Sequence, residues 1–344
     1  MNKRDMSKKA IPTFFDKKAS SVQLVSWVSK YGSVTYNLFR REFGYGGMNE
    51  AGLVVESLSF PETKTPKPDS RPSISAVQFV QYLLDNYGSV KEVIESEKSI
   101  RIRPTIKPAG HIFVADKNGN SAVIEFIKGK RVCYTNESMP YKALTNSAYQ
   151  KSADYYKKNK KPWRDKGKSI ERFIVTADML REYGADSLVS PLDYSFRILE
   201  ETSWKERISI GKLNITMETK WSFVYDVNRL QIYFRTNDNH NLRIINLKSF
   251  DFSCSTPVKV LDINKQLSGD VTEAFIDYTR QINNKFVKNI FKKTPYPFVY
   301  GLNFKFLYHL IKSGFSEFPE HPPENIEALL TYPDTTVCVT VISK

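Results

Sequence analysis

The order of elements written into this chain predicts an α+β fold, two antiparallel sheets covered by helices. Three observations predict it. Between residues 22 and 58, and again from 112 to 134, short apolar runs follow one another through turns, with no crossover helix that would make a parallel pair. A second group of such runs occupies 221 to 261, and helical spacing of apolar residues is confined to segments between and after the strand groups. Among 344 residues, 41% are hydrophobic and 19 Tyr and 22 Phe are present, a content that disordered chains do not reach and that suits strands.

Val22–Val28 and Ser33–Phe39 read as the strands of a hairpin turned at Lys30-Tyr31-Gly32. After Gly46-Gly47 comes a third strand, Leu53–Leu58, an apolar run broken only by Glu56, as on a strand covered on both faces. Pro61–Pro72 is a surface loop. Ser73 is placed to cap a helix running through Tyr82 to Asn86, with Val77, Val80, Leu83 and Leu84 on one face. Ser89 and Glu92 have capping-box spacing and open a short helix through Ile94. Ile112–Ala115, Ala122–Ile127 and Arg131–Tyr134 then alternate through turns at Lys117-Asn118-Gly119 and Lys128-Gly129. Lys151 to Lys168 reads as a basic linker. Ser169–Tyr183 is a helix stopped at Gly184, and Pro191 opens another that runs to about Glu201. Strands at Trp221–Tyr225, Leu230–Arg235, Leu242–Asn246 and Val258–Leu261 precede a late helix from Val271 to Asn289. Beyond about Lys293, Pro295, Pro297, Pro319, Pro322 and Pro323 interrupt short apolar runs, the mark of an extension.

Composition excludes several classes. Cys133, Cys254 and Cys338 have no framework spacing and no Cys-x-x-Cys occurs, so neither a disulfide scaffold nor a zinc site is expected. His111, His240, His309 and His321 stand singly, so no metal is expected, and nothing calls for a cofactor. The basic start lacks the apolar stretch of a signal peptide, and no run approaches the ~18 apolar residues of a membrane span, which leaves localisation unread. The formal charge of +14 concentrates at Lys157-Lys158, Lys160-Lys161 and Trp163-Arg164. Such a stripe can attract polyanions, but no nucleic-acid motif accompanies it and a solvated linker is the simpler reading.

Three segments carry a resemblance: Gly46-Gly47-Met48-Asn49-Glu50-Ala51-Gly52-Leu53, Leu144-Thr145-Asn146-Ser147 and Ile170-Glu171-Arg172-Phe173. Together they resemble the choloylglycine hydrolase family, which includes bile salt hydrolases and penicillin V acylases. His111 to Asp116, Gly119 to Phe126 and Thr219 to Asp226 follow the same pattern, so the likeness covers roughly Asn2 to Asn289. It implies a four-layer αββα sandwich of the N-terminal-nucleophile hydrolase type over 1–293, with 294–344 packed on it as a C-terminal extension. It also implies a hydrolase of linear amide C–N bonds with a small-molecule substrate: a conjugated bile salt, phenoxymethyl penicillin or an N-acyl homoserine lactone. The choice would lie in loops such as Phe60 to Pro72 and Arg41 to Tyr45. Homo-oligomers are common in the family.

The resemblance assigns roles residue by residue. Asn146 would donate its side-chain amide to the oxyanion, with the backbone N–H near Ser59 as second donor. Arg172 would favour a nearby thiolate and orient neighbouring carboxylates. Asn49 and Glu50, with Gly52, mark a turn and are structural first, and Phe60, like them, is a substrate-cleft or structural residue. Asp116 would order its turn, and Glu125 is expected between the sheets. The departure is at the start. The family's nucleophile is a cysteine at the mature N-terminus whose own α-amino group, titrating near ~8, handles the proton. No cysteine precedes Gly46, and the family's Arg-x-x-Asp segment is missing. The expectation is therefore a chain lacking its nucleophile-bearing start, its first strand missing or incomplete, and inactive as written. A non-catalytic binding descendant and a basic nucleic-acid-binding protein are the rivals.

Overall fold

A computed structural model describes residues 6–9, 23–37, 44–103, 110–159, 168–184, 187–210, 213–285 and 337–338. The expected extension at 294–344, apart from residues 337–338, and the basic run at 160–167 lie outside the described residues.

Cross-strand pairing builds a six-stranded sheet from β3 (Ser33–Asn37), β4 (Gly44–Asn49), β5 (Val54–Leu58), β8 (His111–Ala115), β9 (Ser121–Ile127) and β10 (Lys130–Thr135). Its order is β10-β9-β8-β5-β4-β3, antiparallel throughout. Successive strand residues face opposite sides. Val55, Ile112, Val114, Ala122, Ile124 and Phe126 therefore point to one face, where they meet Phe79, Val80, Leu83 and Leu84 of α1 (Ala76–Asn86) and Val90 and Val93 of α2 (Val90–Glu95).

The other face is divided. At its β3–β5 side, Val34, Met48 and Val54 pack on Ile232, Phe234, Ile245 and Leu247 of a second sheet and its flank. That sheet runs β13 (Trp221–Asp226), β14 (Gln231–Thr236) and β15 (Asn239–Asn246), antiparallel, with the two-residue β17 (Gly269–Asp270) joined parallel. At its β9 side, Val123 lies under α3 (Tyr149–Lys158) and α4 (Ser169–Glu182), in a core with Tyr149, Ala153, Tyr156, Phe173, Ile174 and Ala177. On the second sheet, α5 (Pro191–Glu201) packs against β13, and Arg235 of the neighbouring β14 lies 4.4 Å over the ring of Phe196. Two antiparallel sheets packed together and flanked by helices are thus present, as expected, with α1 and α2 on one face of the large sheet and α3 and α4 beside the second sheet on the other.

Several local expectations need correcting. Residues 22 to 39 are not a hairpin: β2 (Ser26–Val28) pairs with β1 (Met6–Lys9), which pairs in turn with β19 (Val337–Cys338), whereas β3 pairs with β4. The intervening chain hooks onto the end of α1, where Trp27 Nε1 donates to Asp85 Oδ2 at 2.8 Å and Lys30 N to the Asp85 carbonyl at 2.7 Å. Ser73 begins not a helix but β6 (Ser73–Ser75), parallel to β7 (Arg101–Arg103), and the helix N-cap is Ser75, two residues later. Half of the expected basic linker is α3, whose buried residues Tyr149, Ser152, Ala153 and Tyr156 recur at i, i+3, i+4 and i+7. The late helix is absent over most of its length. Gly269–Asp270 is strand, Val271 and Phe275 drop into the inter-sheet core, Thr272–Ala274 form one 3-10 turn, β18 (Ile276–Asp277) pairs with β16 (Lys259–Val260), and among the described residues the α-helical part of the segment is 280–285. A hairpin of β11 (Lys205–Ile210) and β12 (Leu213–Glu218) was not anticipated. Cys254 is disulfide-bonded, a single bridge rather than a framework.

β4 also escaped the sequence reading, because Gly46-Gly47 resembles a turn. Its glycine has a steric cause: Tyr36, Gly46 and Glu56 lie in one row across β3, β4 and β5, and a Cβ on Gly46 would sit 2.4 Å from the Glu56 carboxylate oxygens. Gly52 has φ +83, a left-handed turn conformation that favours glycine.

Candidate active site

Residues 144–146 form an irregular stretch between the end of β10 and the start of α3, held to α4 by two side chains. Thr145 Oγ1 donates to the Ser169 carbonyl at 2.9 Å, and Ser169 Oγ donates back to Thr145 Oγ1 at 3.0 Å. This fixes Asn146 against Arg172, one turn into α4. Arg172 Nη2 donates to Asn146 Oδ1 at 2.8 Å, and Asn146 Nδ2 donates to the Ser59 carbonyl at 3.0 Å. The amide is thereby locked in one orientation. Its nitrogen carries two hydrogens, so one bond to Ser59 leaves the second as a donor. Three residues separated by 87 and 26 positions in sequence therefore meet at one point.

Arg172 is buried, 8% exposed, and lies 5.7 Å from the ring of Trp204. Burial pulls its guanidinium below the usual arginine value. The sequence offered no signal for Trp204 or for the Thr145–Ser169 lock.

Asn49 is fully buried and uses all its bonding capacity. Its Nδ2 donates to the carbonyls of Leu84 and Tyr87 at 2.9 and 2.8 Å, and its Oδ1 accepts from Ala51 N and Leu53 N at 3.1 and 3.0 Å. It ties the β4–β5 turn to the end of α1. Glu50 accepts from Gly32 N at 2.9 Å. Phe60 is 1% exposed and stacks on His111 at 4.8 Å, the structural of the two roles expected for it. Asp116 orders its turn through Asn118 N and Asn120 N and also accepts from Val90 N, at the first residue of α2. Glu125 lies not between the two sheets but between the large sheet and α3, where Tyr149 N donates to it at 2.9 Å.

Between the two sheets sits a different carboxyl, Glu56. The hydroxyls of Tyr36 and Tyr225 donate to its two oxygens, one from each sheet, and Tyr36 stacks on Phe223 at 4.3 Å. Burial pushes Glu56 up to about 7, against the pull of the two tyrosine hydrogen bonds. The sequence did carry a signal for it: one acidic residue in an otherwise apolar strand.

Of the two described cysteine side chains, one faces the α1 side of the large sheet and the other is in a disulfide. The first is Cys133, the ladder partner of Ile124, whose thiol pKa is raised by burial. The second is Cys254. Among the described residues no group of three or more His, Cys, Asp or Glu could hold a metal ion, and no helix is long and apolar enough to cross a membrane.

Residues 14–241 match the family model described as acyl-coenzyme A:6-aminopenicillanic acid acyl-transferase. A penicillin V acylase of Pectobacterium atrosepticum is 26% identical over 269 residues, covering 67% of this chain and 69% of that protein. Among solved structures, penicillin V acylase from Agrobacterium tumefaciens superposes with a TM-score of 0.66 at 23% identity, over 81% of this chain and 88% of that one. A conjugated bile acid hydrolase from Clostridium perfringens gives 0.57 at 18% identity, over 74% and 85%.

Proposed function

Since the chain belongs to the acyl-coenzyme A:6-aminopenicillanic acid acyl-transferase family, with penicillin V acylase and bile acid hydrolase relatives, we propose that its site acts on the C–N bond of a small linear amide. The observation that carries this reading is the Arg172–Asn146–Ser59 chain of hydrogen bonds. Attack on an amide carbonyl places negative charge on its oxygen, and a neutral, pre-oriented N–H beside that oxygen stabilises the tetrahedral intermediate without having to reorganise. Asn146 is the donor, the Ser59 backbone N–H is the second, and Arg172 holds the Asn146 amide by its oxygen so that the nitrogen faces the reacting carbonyl.

The finer reading concerns the nucleophile. In the chemistry implied by the resemblance, a cysteine attacks while its own free α-amino group carries the proton. Cys133 and Cys254 have no such amino group; Cys133 faces the α1 side of the large sheet and Cys254 is held in a disulfide. We therefore expect this 344-residue chain to bind the amide without cutting it. A covalent nucleophile accounts for most of a ~10⁶-fold or larger acceleration, the remainder coming from oxyanion and binding terms. Binding without cleavage is also what a non-catalytic descendant of this fold would show.

The test is calorimetric titration of the purified chain with penicillin V and with a conjugated bile salt, alongside a product assay. Saturable binding that Asn146→Ala removes, with no product formed, is expected. Turnover abolished by Cys133→Ala would reveal a substitute nucleophile and overturn the finer reading. Binding indifferent to Asn146 would overturn the assignment of the site.

A further inference from the structure

We propose that His111 and Glu125 are positioning residues of the Asn146 site, a buried imidazole–carboxylate pair that holds in register the two chain segments bearing the oxyanion donors. This rests on the amide-hydrolase reading of Asn146. Both side chains are completely enclosed, and His111 Nδ1 lies 2.8 Å from Glu125 Oε1. Each partner reaches a different segment. His111 pairs across the ladder with Leu58, and its ring stacks on Phe60 with planes 13° apart, so it grips the residues on either side of Ser59. Glu125 Oε1 accepts from Tyr149 N, three residues beyond Asn146.

Tyr149 is the first residue of α3, and the first four N–H groups of a helix have no acceptor within it. A serine, threonine or aspartate at the N-cap normally supplies one. Here the N-cap is Ala148, which offers no side-chain bond, and the first turn holds no acidic residue. Glu125 therefore caps α3 from a neighbouring strand, supplying the missing acceptor. An apolar pair of equal volume would pack as well and avoid burying polar groups, but it could not accept from Tyr149 N. The position of α3, and with it the irregular stretch that ends in Asn146, thus depends on Glu125, and Glu125 on His111.

The test reads the side-chain NH₂ signals of Asn146 in the full chain labelled with ¹⁵N-asparagine, assigned by their loss in Asn146→Ala, without ligand and with phenoxyacetate, the carboxylate that cleavage of penicillin V releases. Glu125→Met, which keeps the volume and loses the acceptor, should move those signals in the ligand-free protein and weaken phenoxyacetate about tenfold, since small displacements of a site group are costly. Glu125→Gln, which keeps an acceptor oxygen, should restore most of both. Asp178→Asn is the control. Asp178 joins α3 to α4 through Tyr156 and Arg181, away from Asn146, so this change should lower Tm without moving the Asn146 signals. If Glu125→Met does not fold, His111→Phe, which keeps the ring against Phe60, carries the test on the same readout. A fall in Tm with Asn146 signals unmoved reduces the pair to a structural element and overturns the proposal. Parent signals that ignore phenoxyacetate defeat the amide-hydrolase reading instead, while the ligand-free shifts still report on positioning.

Discussion

Two glutamates lie on the same face of the large sheet, Glu125 fully buried and Glu56 half-buried, and their surroundings could hardly differ more. Glu125, at the β9 side, meets a histidine ring and a backbone N–H at a helix start. Glu56, at the β3–β5 side, accepts from the hydroxyls of Tyr36 and Tyr225. Hydroxyl groups solvate a carboxylate less well than water and bring no positive charge, so burial dominates and the proton is retained to about 7. A buried carboxylate is thus not one kind of object. At one end of the sheet it is an acceptor that organises a helix, and at the other it is an acid held close to neutrality between two sheets.

The largest expected effect breaks the first environment. Glu125→Ala leaves His111 and Tyr149 N without their acceptor in a closed core and should cost about 3–4 kcal/mol, read from the urea midpoint at constant m-value. A loss below about 1 kcal/mol would mean that the surroundings reorganise to supply another acceptor.

The second environment is broken by pH. The folded-state pKa of Glu56 is raised from 4.5 to about 7, so between those values the folded protein binds more protons than the unfolded chain. Stability is then fully present below about 4.5 and falls as pH rises through about 7, by roughly 1–3 kcal/mol for a half-buried group. Glu56→Gln should flatten this part of the stability curve and make the variant the more stable protein above pH 7. Unfolding curves from pH 4 to 8 on both proteins decide it, and parallel curves would assign the charge to a well-solvated site.

Tyr225→Phe sharpens the same point at a cost of about 1 kcal/mol. Its hydroxyl pulls the Glu56 pKa down, so removing it should move the midpoint of the pH-dependent fall upward. A downward move would show that water takes the place of the hydroxyl.

Smallest in stability is Asn146→Ala, expected to change ΔG by about 0.5–1 kcal/mol because the residue is only partly buried and Thr145 and Ser169 still hold the loop. Its effect on ligand binding should be near complete. If instead Tm falls steeply while affinity is unchanged, Asn146 is a structural asparagine.

What was legible in the sequence was local. The β8–β9–β10 meander could be read because its turns announce themselves: Asp116 gathers Asn118 N and Asn120 N, and Gly119 and Gly129 both adopt φ +80. α3 was hidden because its lysines drew attention from the Tyr149, Ser152, Ala153, Tyr156 stripe. The expected late helix failed because Val271 and Phe275, suitably spaced for a helix, are claimed by the inter-sheet core, while Thr272 Oγ1 accepts from Asn246 N. No rule of spacing joins Asn146 to Ser59 or Arg172. Those links were reachable through family likeness, whereas Glu56 stood out on chemistry alone.

The Tyr36–Gly46–Glu56 row has a consequence for how related sequences can vary. Position 46 has no room for a methyl group while a glutamate lies across it, so the two positions are not free to drift independently. Among homologous chains, alanine or serine at position 46 should be found with a shorter or smaller residue at position 56, and glutamate at 56 with glycine at 46. The tyrosine at 36 should change along with them, since its hydroxyl crosses that same glycine to reach the carboxyl. A divergence that looks like three unrelated substitutions would then be a single inherited unit, passed on or lost together.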